Sequence, residues 1–557
     1  MEKLRVFRLY VAFLVVCFQY CAADITFIAE RFPLQGNREL SDVPWPMPTE
    51  WSRDNVTFTL SPTSLKFAPN LPECDVIHGA ITRYRRLMSV NKETDPPAEV
   101  DIEGVNVIVE NTTCEKYPYL DMDESYTIST GPSSISLTSQ SVWGALRGLE
   151  TLSQLLYEEN GQVRIRNWTI TDNPRFSHRG FLIDTSRHYL PLSIIKKHLD
   201  AMTWSKMNVL HWHIVDAQSF PYVSHAFPEL SEKGAYSPRH VYTPEAVAEV
   251  IEYARLRGIR VVPEFDTPGH AHSWGKAKPD LLTPCWSDGK PYTAEYGQHT
   301  DRENFDPSRE TTFQFLEEFM NDVASVFPDQ FLHAGMDEAH YMWKEAIIWQ
   351  DPLDNGVVVS NSTLIEVWKN KRNIRDCTNT SVDNFNEFAL RAAKGGNRLI
   401  ISSCWYLNYL CYGEDWRRFY KCDPTGFTVK REEMDQVVGG EACLWAEFVD
   451  GTNFLQRSWP RAAAVAERLW SPSHVTDADT AAFRLDAHRC RLLRRGIPAQ
   501  PVLPGYCGDY DYGLEPEAPE GSGDEQTCPT GKAMQTETSS TMLLLSLIFT
   551  LAATSSA

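Results

Sequence analysis

Positive charge is what this chain is short of: 53 Lys and Arg stand against 74 Asp and Glu, a formal net charge of −21 over 557 residues. Such a surface repels a phosphate backbone, which argues against nucleic acid as the partner and favours a neutral or cationic ligand. Long apolar runs are also missing, since 9–18 and 542–553 each fall short of the roughly 20 residues that a membrane-crossing helix needs. Neither C-x-x-C nor H-E-x-x-H occurs, so the common zinc-ribbon and zinc-protease patterns are absent. Aromatic residues are plentiful, with 16 Trp, 22 Tyr and 26 Phe, and 42% hydrophobic residues provide ample material for a folded core. At roughly 150 residues per domain, the length fits three domains or a small one plus a large one.

Both ends carry targeting features. A basic start (Lys3, Arg5, Arg8), a short apolar run and the small pair Ala22-Ala23 have the layout of a secretory signal peptide over 1–23. Sequons at Asn55, Asn111, Asn167, Asn361 and Asn379 then suggest a glycoprotein. The signal holds Cys17 and Cys21, which leaves 11 of the 13 cysteines in an oxidising compartment and therefore at least one unpaired thiol. Local pairs compatible with the spacing are Cys74 with Cys114, Cys411 with Cys422, and Cys507 with Cys528. The segment 508–557, acidic and then apolar, is either a glycosylphosphatidylinositol attachment signal or a frayed terminus.

Between the ends, 24–176 mixes short alternating segments with one helical pattern at 142–156, which predicts a small α+β accessory domain. From 177 to 507 the texture changes. Strand-like runs at 181–184, 209–216, 261–266, 331–337, 347–349, 364–368, 399–405 and 437–445 alternate with helical stretches such as 192–205, 244–257 and 311–326. Eight such strands predict a (β/α)8 TIM barrel, whose active site lies at the strands' C-terminal ends. That is where Arg187, Asp216, His270, Asp337-Glu338 and Trp349, Trp368, Trp405-Tyr406, Trp445 and Glu447 fall. Adjacent carboxylates repel each other, so one is expected to hold its proton and to serve as an acid for glycosidic cleavage. Tryptophan faces suit the C–H faces of a pyranose, and the charged groups suit its hydroxyls. A metal-dependent hydrolase built on His211, His213, Asp216, His270 and His272 is the rival, although it leaves the tryptophans unexplained.

Several segments together resemble the family-20 glycoside hydrolases, animal lysosomal β-hexosaminidase subunits in particular. They are Ser177-His178-Arg179-Gly180, Asp184 to Tyr189, Asn208 to Asp216, Glu264 to His270, Gly439 to Trp445, Ala463 to Trp470 and, in the accessory domain, Trp143 to Thr151. The resemblance runs from about Trp45 to Cys507. It implies a retaining exo-β-N-acetylhexosaminidase acting on terminal GlcNAc or GalNAc, in which the substrate's own 2-acetamido oxygen attacks the anomeric carbon. It further implies Glu338 as acid and then base, Asp337 orienting the acetamido N–H, and Tyr406 holding the acetamido oxygen. Trp349, Trp368 and Trp445 would enclose the sugar, Arg187 and Glu447 would bind outer hydroxyls, and Asp216 and His270 would support the acid pair. No cofactor and no metal are implied, and the expected partners are N-acetylhexosamine-terminated glycans and a second copy of the chain in a homodimer. The expected location is the lysosome or the cell exterior, with a lipid-anchored tail as the further option. Tyr409 follows Asn408 where an Arg goes with negatively charged sugars, so neutral substrates are expected.

Three departures from the family pattern stand out. Met336 occupies a position where Gly is usual. Cys285 lacks its usual partner because Met342 stands in that place, which makes Cys285 the expected odd thiol. Only eight residues separate Glu338 from Ile347, about forty fewer than in the family and below the ~10–12 that a parallel crossover needs. Either an exon is missing or the barrel is irregular after its fourth strand, and the alternative function is then a sugar-binding homologue with impaired catalysis.

Overall fold

The computed structural model describes residues 38–88, 99–283, 286–287, 290–291, 304–337, 346–370, 385–411 and 413–507. All of them belong to one compact unit, Met1–Tyr512. No helix among them is long and apolar enough to cross a membrane.

The first part is a mixed sheet with the strands β1 (Glu50–Leu60), β2 (Lys66–Pro69), β3 (Gly104–Val109), β4 (Tyr126–Thr130), β5 (Ser134–Ser139), β6 (Tyr157–Glu159) and β7 (Gln162–Asp172). Its order is β1-β7-β4-β5-β3-β2, with β6 paired to β7. Strands β3, β4 and β5 alternate between buried and more accessible residues, as expected of a sheet with one covered face. The helices Asp75–Met88 and Val142–Leu155 share the core cluster on that face.

The second part is the barrel. Strands β8 (His178–Asp184), β9 (Val209–Val215) and β10 (Arg260–Thr267) come first, then a short hairpin, β11 (Trp286–Ser287) with β12 (Lys290–Pro291). The remaining barrel strands are β13 (Leu332–Gly335), β14 (Ala346–Trp349), β15 (Leu364–Val367), β16 (Leu399–Ile401) and β17 (Val437–Leu444). They close in the order β10-β13-β14-β15-β16-β17-β8-β9, and every barrel pair is parallel. The eight expected strands are therefore all present. Pairing survives across the short link as well, because Leu332 and His333 register with Ala346 and Ile347.

Alternation explains what fills the barrel. Leu210, Trp212, Val261, Phe265, Ile348, Ile365 and Ile401 belong to the large outer core that the helices cover. Their neighbours Val209, Val262, Ile347, Leu364 and Ile400 form a separate apolar plug with Leu120, Phe331 and Val438. Two residues further along the same faces come His211, Glu264, His333 and Glu366, an ionisable layer that is wholly buried. On β17 the period shifts by one residue at Gly439, where φ is +152° and an added Cβ would meet the His178 carbonyl. Glu441 thereby joins that layer and Cys443 the one above.

A second buried charge set ties the sheet to the barrel. Glu124 accepts from Arg147 Nε (2.8 Å) and Arg179 Nη2 (2.7 Å), and Lys206 Nζ pairs with Asp172 (2.9 Å).

The disulfides correct two expectations. Cys74–Cys114 forms as expected, whereas Cys422 bonds Cys404 rather than Cys411, and Cys507 bonds Cys490 rather than Cys528. Cys404 lies at the turn leaving β16, beside the start of the segment after the helix Asp415–Lys421, so nearness in space overrode the shorter spacing in sequence. Cys411 is itself disulfide-bonded. The free thiol among the described residues is the buried Cys443. Cys285, Cys528, the signal segment 1–23 and the tail 508–557 lie outside the described residues.

Candidate active site

At the C-terminal mouth of the barrel, Trp349, Trp368, Tyr406 and Trp445 gather with Tyr409, Leu182 and Cys443 into one cluster. Ring centres lie 6.1 Å apart for Trp349 and Trp445, 6.4 Å for Trp368 and Tyr406, and 6.5 Å for Tyr406 and Trp445. Carboxylates pin two of the indoles: Trp349 Nε1 donates to Glu264 Oε1 (2.9 Å) and Trp368 Nε1 to Asp351 Oδ2 (2.7 Å). Satisfying the N–H at the ring edge leaves the ring faces for apolar contact; Trp368 and Trp445 are partly exposed at the mouth, whereas Trp349 is buried.

Trp405 is not part of this wall. Its ring is fully buried in the outer core, with Nε1 donating to the Phe419 carbonyl (3.0 Å). Successive residues of an extended segment face opposite ways, so only one of Trp405 and Tyr406 can face the mouth, and Tyr406 does, bridged to Cys443. Asn408 is partly buried beside Tyr409, and its Oδ1 makes no hydrogen bond.

A chain of charged groups completes the mouth. Asp337 follows a turn in which Gly335 (φ +71°) and Met336 (φ +68°) both take left-handed backbone. Met336 thus occupies a conformation that favours glycine, and burying its side chain in the core offsets the strain. Asp337 Oδ2 lies 3.4 Å from His270 Nε2, and His270 Nδ1 lies 3.2 Å from Asp216 Oδ1. Asp216 Oδ2 accepts from Arg187 Nη2 (2.6 Å) and from His213 Nε2 (3.0 Å). Arg187 also bonds Asp184 (3.1 Å) and stands 5.1 Å from the ring centre of Trp445, which joins the charged side to the aromatic one. Glu447 sits exposed at the rim, near enough for its charge to favour the Arg187 cation.

These contacts set the charge states. Burial works against the His270 cation, yet its bonds to Asp216 and Asp337 push its pKa up to about 12. Burial also opposes ionisation of Asp337, but His270 outweighs it and holds Asp337 below the usual carboxylate range. Asp266, an inward residue of β10, goes the other way: burial, then the charge of Asp337, raises it well above that range. Asp337 and Asp266 are thus held in opposite charge states, whereas the split expected between Asp337 and Glu338 falls on Glu338, which lies outside the described residues.

The site list drawn from the sequence lacks Glu264, Asp266 and Asp184. Glu264 is the hub beneath the mouth, accepting from Trp349 and lying 2.6 Å from His213 Nδ1, 3.0 Å from His211 Nε2 and 3.2 Å from His333 Nδ1. Period-two ionisable pairs inside fully buried strands, His211/His213 and Glu264/Asp266, were the available signal. Donor groups close enough to share a metal do occur, such as His211, Glu264 and His333. However, His211 places its two ring nitrogens on Glu441 (2.9 Å) and Glu264 (3.0 Å), and His213 places its own on Glu264 and Asp216. Both imidazoles are raised above their ordinary value because these carboxylates outweigh burial, so they are held as cations, hydrogen-bonded through His211 Nδ1 and both nitrogens of His213. His272 takes no part in these groups and belongs to the short helix His272–Gly275.

Comparison with known proteins bears on the same residues. A family model described as "Glycosyl hydrolase family 20, catalytic domain" matches 176–346 and 341–473, and one described as "beta-acetyl hexosaminidase like" matches 44–155. The beta-hexosaminidase subunit beta of Felis catus is 42% identical over 523 residues, covering 84% of this chain and 94% of that protein. Subunit alpha of Bos taurus is 41% identical over 515 residues, with coverage of 83% and 94%. Among solved structures, a chitobiase from Flavobacterium johnsoniae aligns with a TM-score of 0.69 at 26% identity over 83% of this chain and 74% of its own. A Streptomyces coelicolor β-N-acetylhexosaminidase aligns at 0.67 and 23% identity over 84% and 99%, which speaks for the fold alone.

Proposed function

Because this chain belongs to glycosyl hydrolase family 20, we propose that it is an exo-acting β-N-acetylhexosaminidase that removes terminal β-linked GlcNAc or GalNAc with retention of configuration. The observation that carries this reading is the meeting, at one barrel mouth, of the aromatic wall Trp349–Trp368–Tyr406–Trp445 with the charged chain Asp337–His270–Asp216–Arg187.

The sugar stacks on the indoles while Arg187 and Glu447 bind its outer hydroxyls. Asp337, ionised, accepts the acetamido N–H and so turns the acetamido oxygen toward the anomeric carbon. Tyr406 donates to that oxygen, and burial keeps its phenol protonated far above neutral pH. Glu338 protonates the leaving oxygen and then activates the water that opens the oxazoline-like intermediate. The protonated Asp266 beside Asp337 lowers the repulsion that a second anion would cause. A place in the secretory or lysosomal pathway fits the amino-terminal signal, and the exposed Asn55, Asn111 and Asn361 are where glycans attach. Dimerisation and a lipid-anchored tail are further proposals that rest on the sequence.

A second reading, sugar binding without turnover, is favoured by the short link after Glu338, where the two segments of the family match meet at 341–346. One experiment separates the two. An aryl β-N-acetylglucosaminide and its 2-hydroxy analogue are offered to the full chain and to Glu338→Gln and Asp337→Asn. Cleavage of the acetamido sugar only, lost in both variants, supports the hydrolase. Quenching of tryptophan fluorescence by N-acetylglucosamine with no cleavage by the wild-type chain overturns it in favour of the binding protein.

A further inference from the structure

The helices that follow β8 and β9, Leu192–Trp204 and Pro244–Arg255, run back from the mouth, so their C-terminal ends lie at the opposite end of the barrel. There they meet the ends of two other helices, Asp75–Met88 from the sheet region and Ala478–Arg494. A cavity of about 510 Å³ opens between them. Five arginines line it, Arg83, Arg86, Arg257, Arg494 and Arg495, against one carboxylate, Asp200, and Arg86 and Arg494 have partners of their own. In a chain of net charge −21, that local excess of cations needs a cause.

Part of the cause is internal. Arg257 Nε pairs with Asp200 (2.7 Å) and Arg495 Nη1 with Glu150 (2.9 Å). Arg83 differs. It donates to the carbonyl of Leu256 (2.6 Å), the residue that caps the helix Pro244–Arg255, and forms no ion pair among the described residues. The partial negative charge of that helix end and the charge of Asp200 favour the Arg83 cation without forming an ion pair with it. The site nevertheless strains the cation, because burial and the neighbouring Arg257 press Arg83 down to about 10. Aromatic rings lie beside two of the other guanidinium groups: Arg257 is 3.4 Å from the ring centre of Tyr253, and Arg495 is 5.0 Å from that of Trp204. Such stacking holds a guanidinium in one orientation, and its planar N–H fork matches the oxygens of a tetrahedral anion.

We propose that this cavity is a binding site for a phosphate- or sulfate-type oxyanion, free or carried on a saccharide, with Arg83 as its principal ligand. The volume exceeds what an isolated ion fills and accommodates an attached sugar ring.

The test is calorimetric titration of the full chain with inorganic phosphate, inorganic sulfate and a hexose 6-phosphate at fixed ionic strength, with sodium chloride as control. Saturable binding to one site is expected, weakened at least tenfold in Arg83→Gln, with turnover of an aryl glycoside unchanged in that variant. Tighter binding of the hexose 6-phosphate than of phosphate identifies an anion read on a sugar, and the reverse order a free ion. Should Arg83→Gln fail to fold, the wild-type chain is treated with an arginine-selective reagent with and without phosphate, and protection of Arg83 is read by peptide mass spectrometry. No saturable binding at millimolar anion, binding unchanged in Arg83→Gln, or no protection of Arg83 overturns the proposal.

Discussion

Replacing Glu264 by Gln removes one charge from the centre of the barrel and changes almost nothing in shape. The carboxylate accepts from Trp349 at 2.9 Å and faces three imidazoles, those of His213 at 2.6 Å, His211 at 3.0 Å and His333 at 3.2 Å. Deleting one partner of a buried ion pair costs about 3–5 kcal/mol, because the other charge is left uncompensated. Linkage gives a similar size. The His213 pKa is raised to about 9 in the fold against about 6.5 unfolded, and about 2.5 pH units at about 1.4 kcal/mol each make about 3.5 kcal/mol. The sign follows from the raised pKa. Stabilisation by the His213 cation is fully present below pH 6.5 and is lost as pH rises through about 9. Thermal unfolding of wild type and Glu264→Gln should therefore differ most between about pH 4.5 and neutral pH, and the gap should narrow above pH 9 and again in stronger acid, where Glu264, held well below its ordinary 4.5, takes up its proton. A deficit of equal size at every pH, or none at all, refutes the charge network as the source of that stability. The amide still offers Trp349 an acceptor, so the sugar pocket should survive where the fold does.

Gly335→Ala should abolish turnover, since its Cβ would stand 2.0 Å from Asp266 Oδ1 on backbone of φ +71°; a variant with wild-type kcat would show that the Asp266–Asp337 turn is not needed as placed. Trp349→Phe should raise KM for an aryl N-acetylglucosaminide, because its indole joins the pocket and loses the bond to Glu264. Trp405→Phe should leave KM unchanged and lower the unfolding temperature, through about 1–3 kcal/mol of lost packing and a stranded Phe419 carbonyl. Reversed effects in this pair would put Trp405 back in the pocket.

Local pattern was enough to read the eight barrel strands and most of the mouth. Runs such as 209–216 and 437–445 announce buried parallel strands, and the residues ending them necessarily project at the mouth, so Arg187, Asp216, His270, Asp337, Trp349, Trp368, Tyr406 and Trp445 could be named from sequence and meet in the fold. Their convergence follows from barrel closure, which the count of strands already implies. What sequence could not supply depends on distance in three dimensions or on a change of phase along a strand. The choice between Trp405 and Tyr406 turns on the path of the chain after Ile401. The one-residue shift at Gly439 decides that Glu441 and Cys443 face inward. Cys404 reaches Cys422 across the helix Asp415–Lys421, and Cys490, inside the helix Ala478–Arg494, reaches Cys507 because the chain turns back after that helix. The hub at Glu264 and the arginine cavity are likewise tertiary. Each collects groups from four elements far apart in the chain, and a charge acquires its partner, and therefore its pKa, only after those elements have packed and expelled the water that would have screened it.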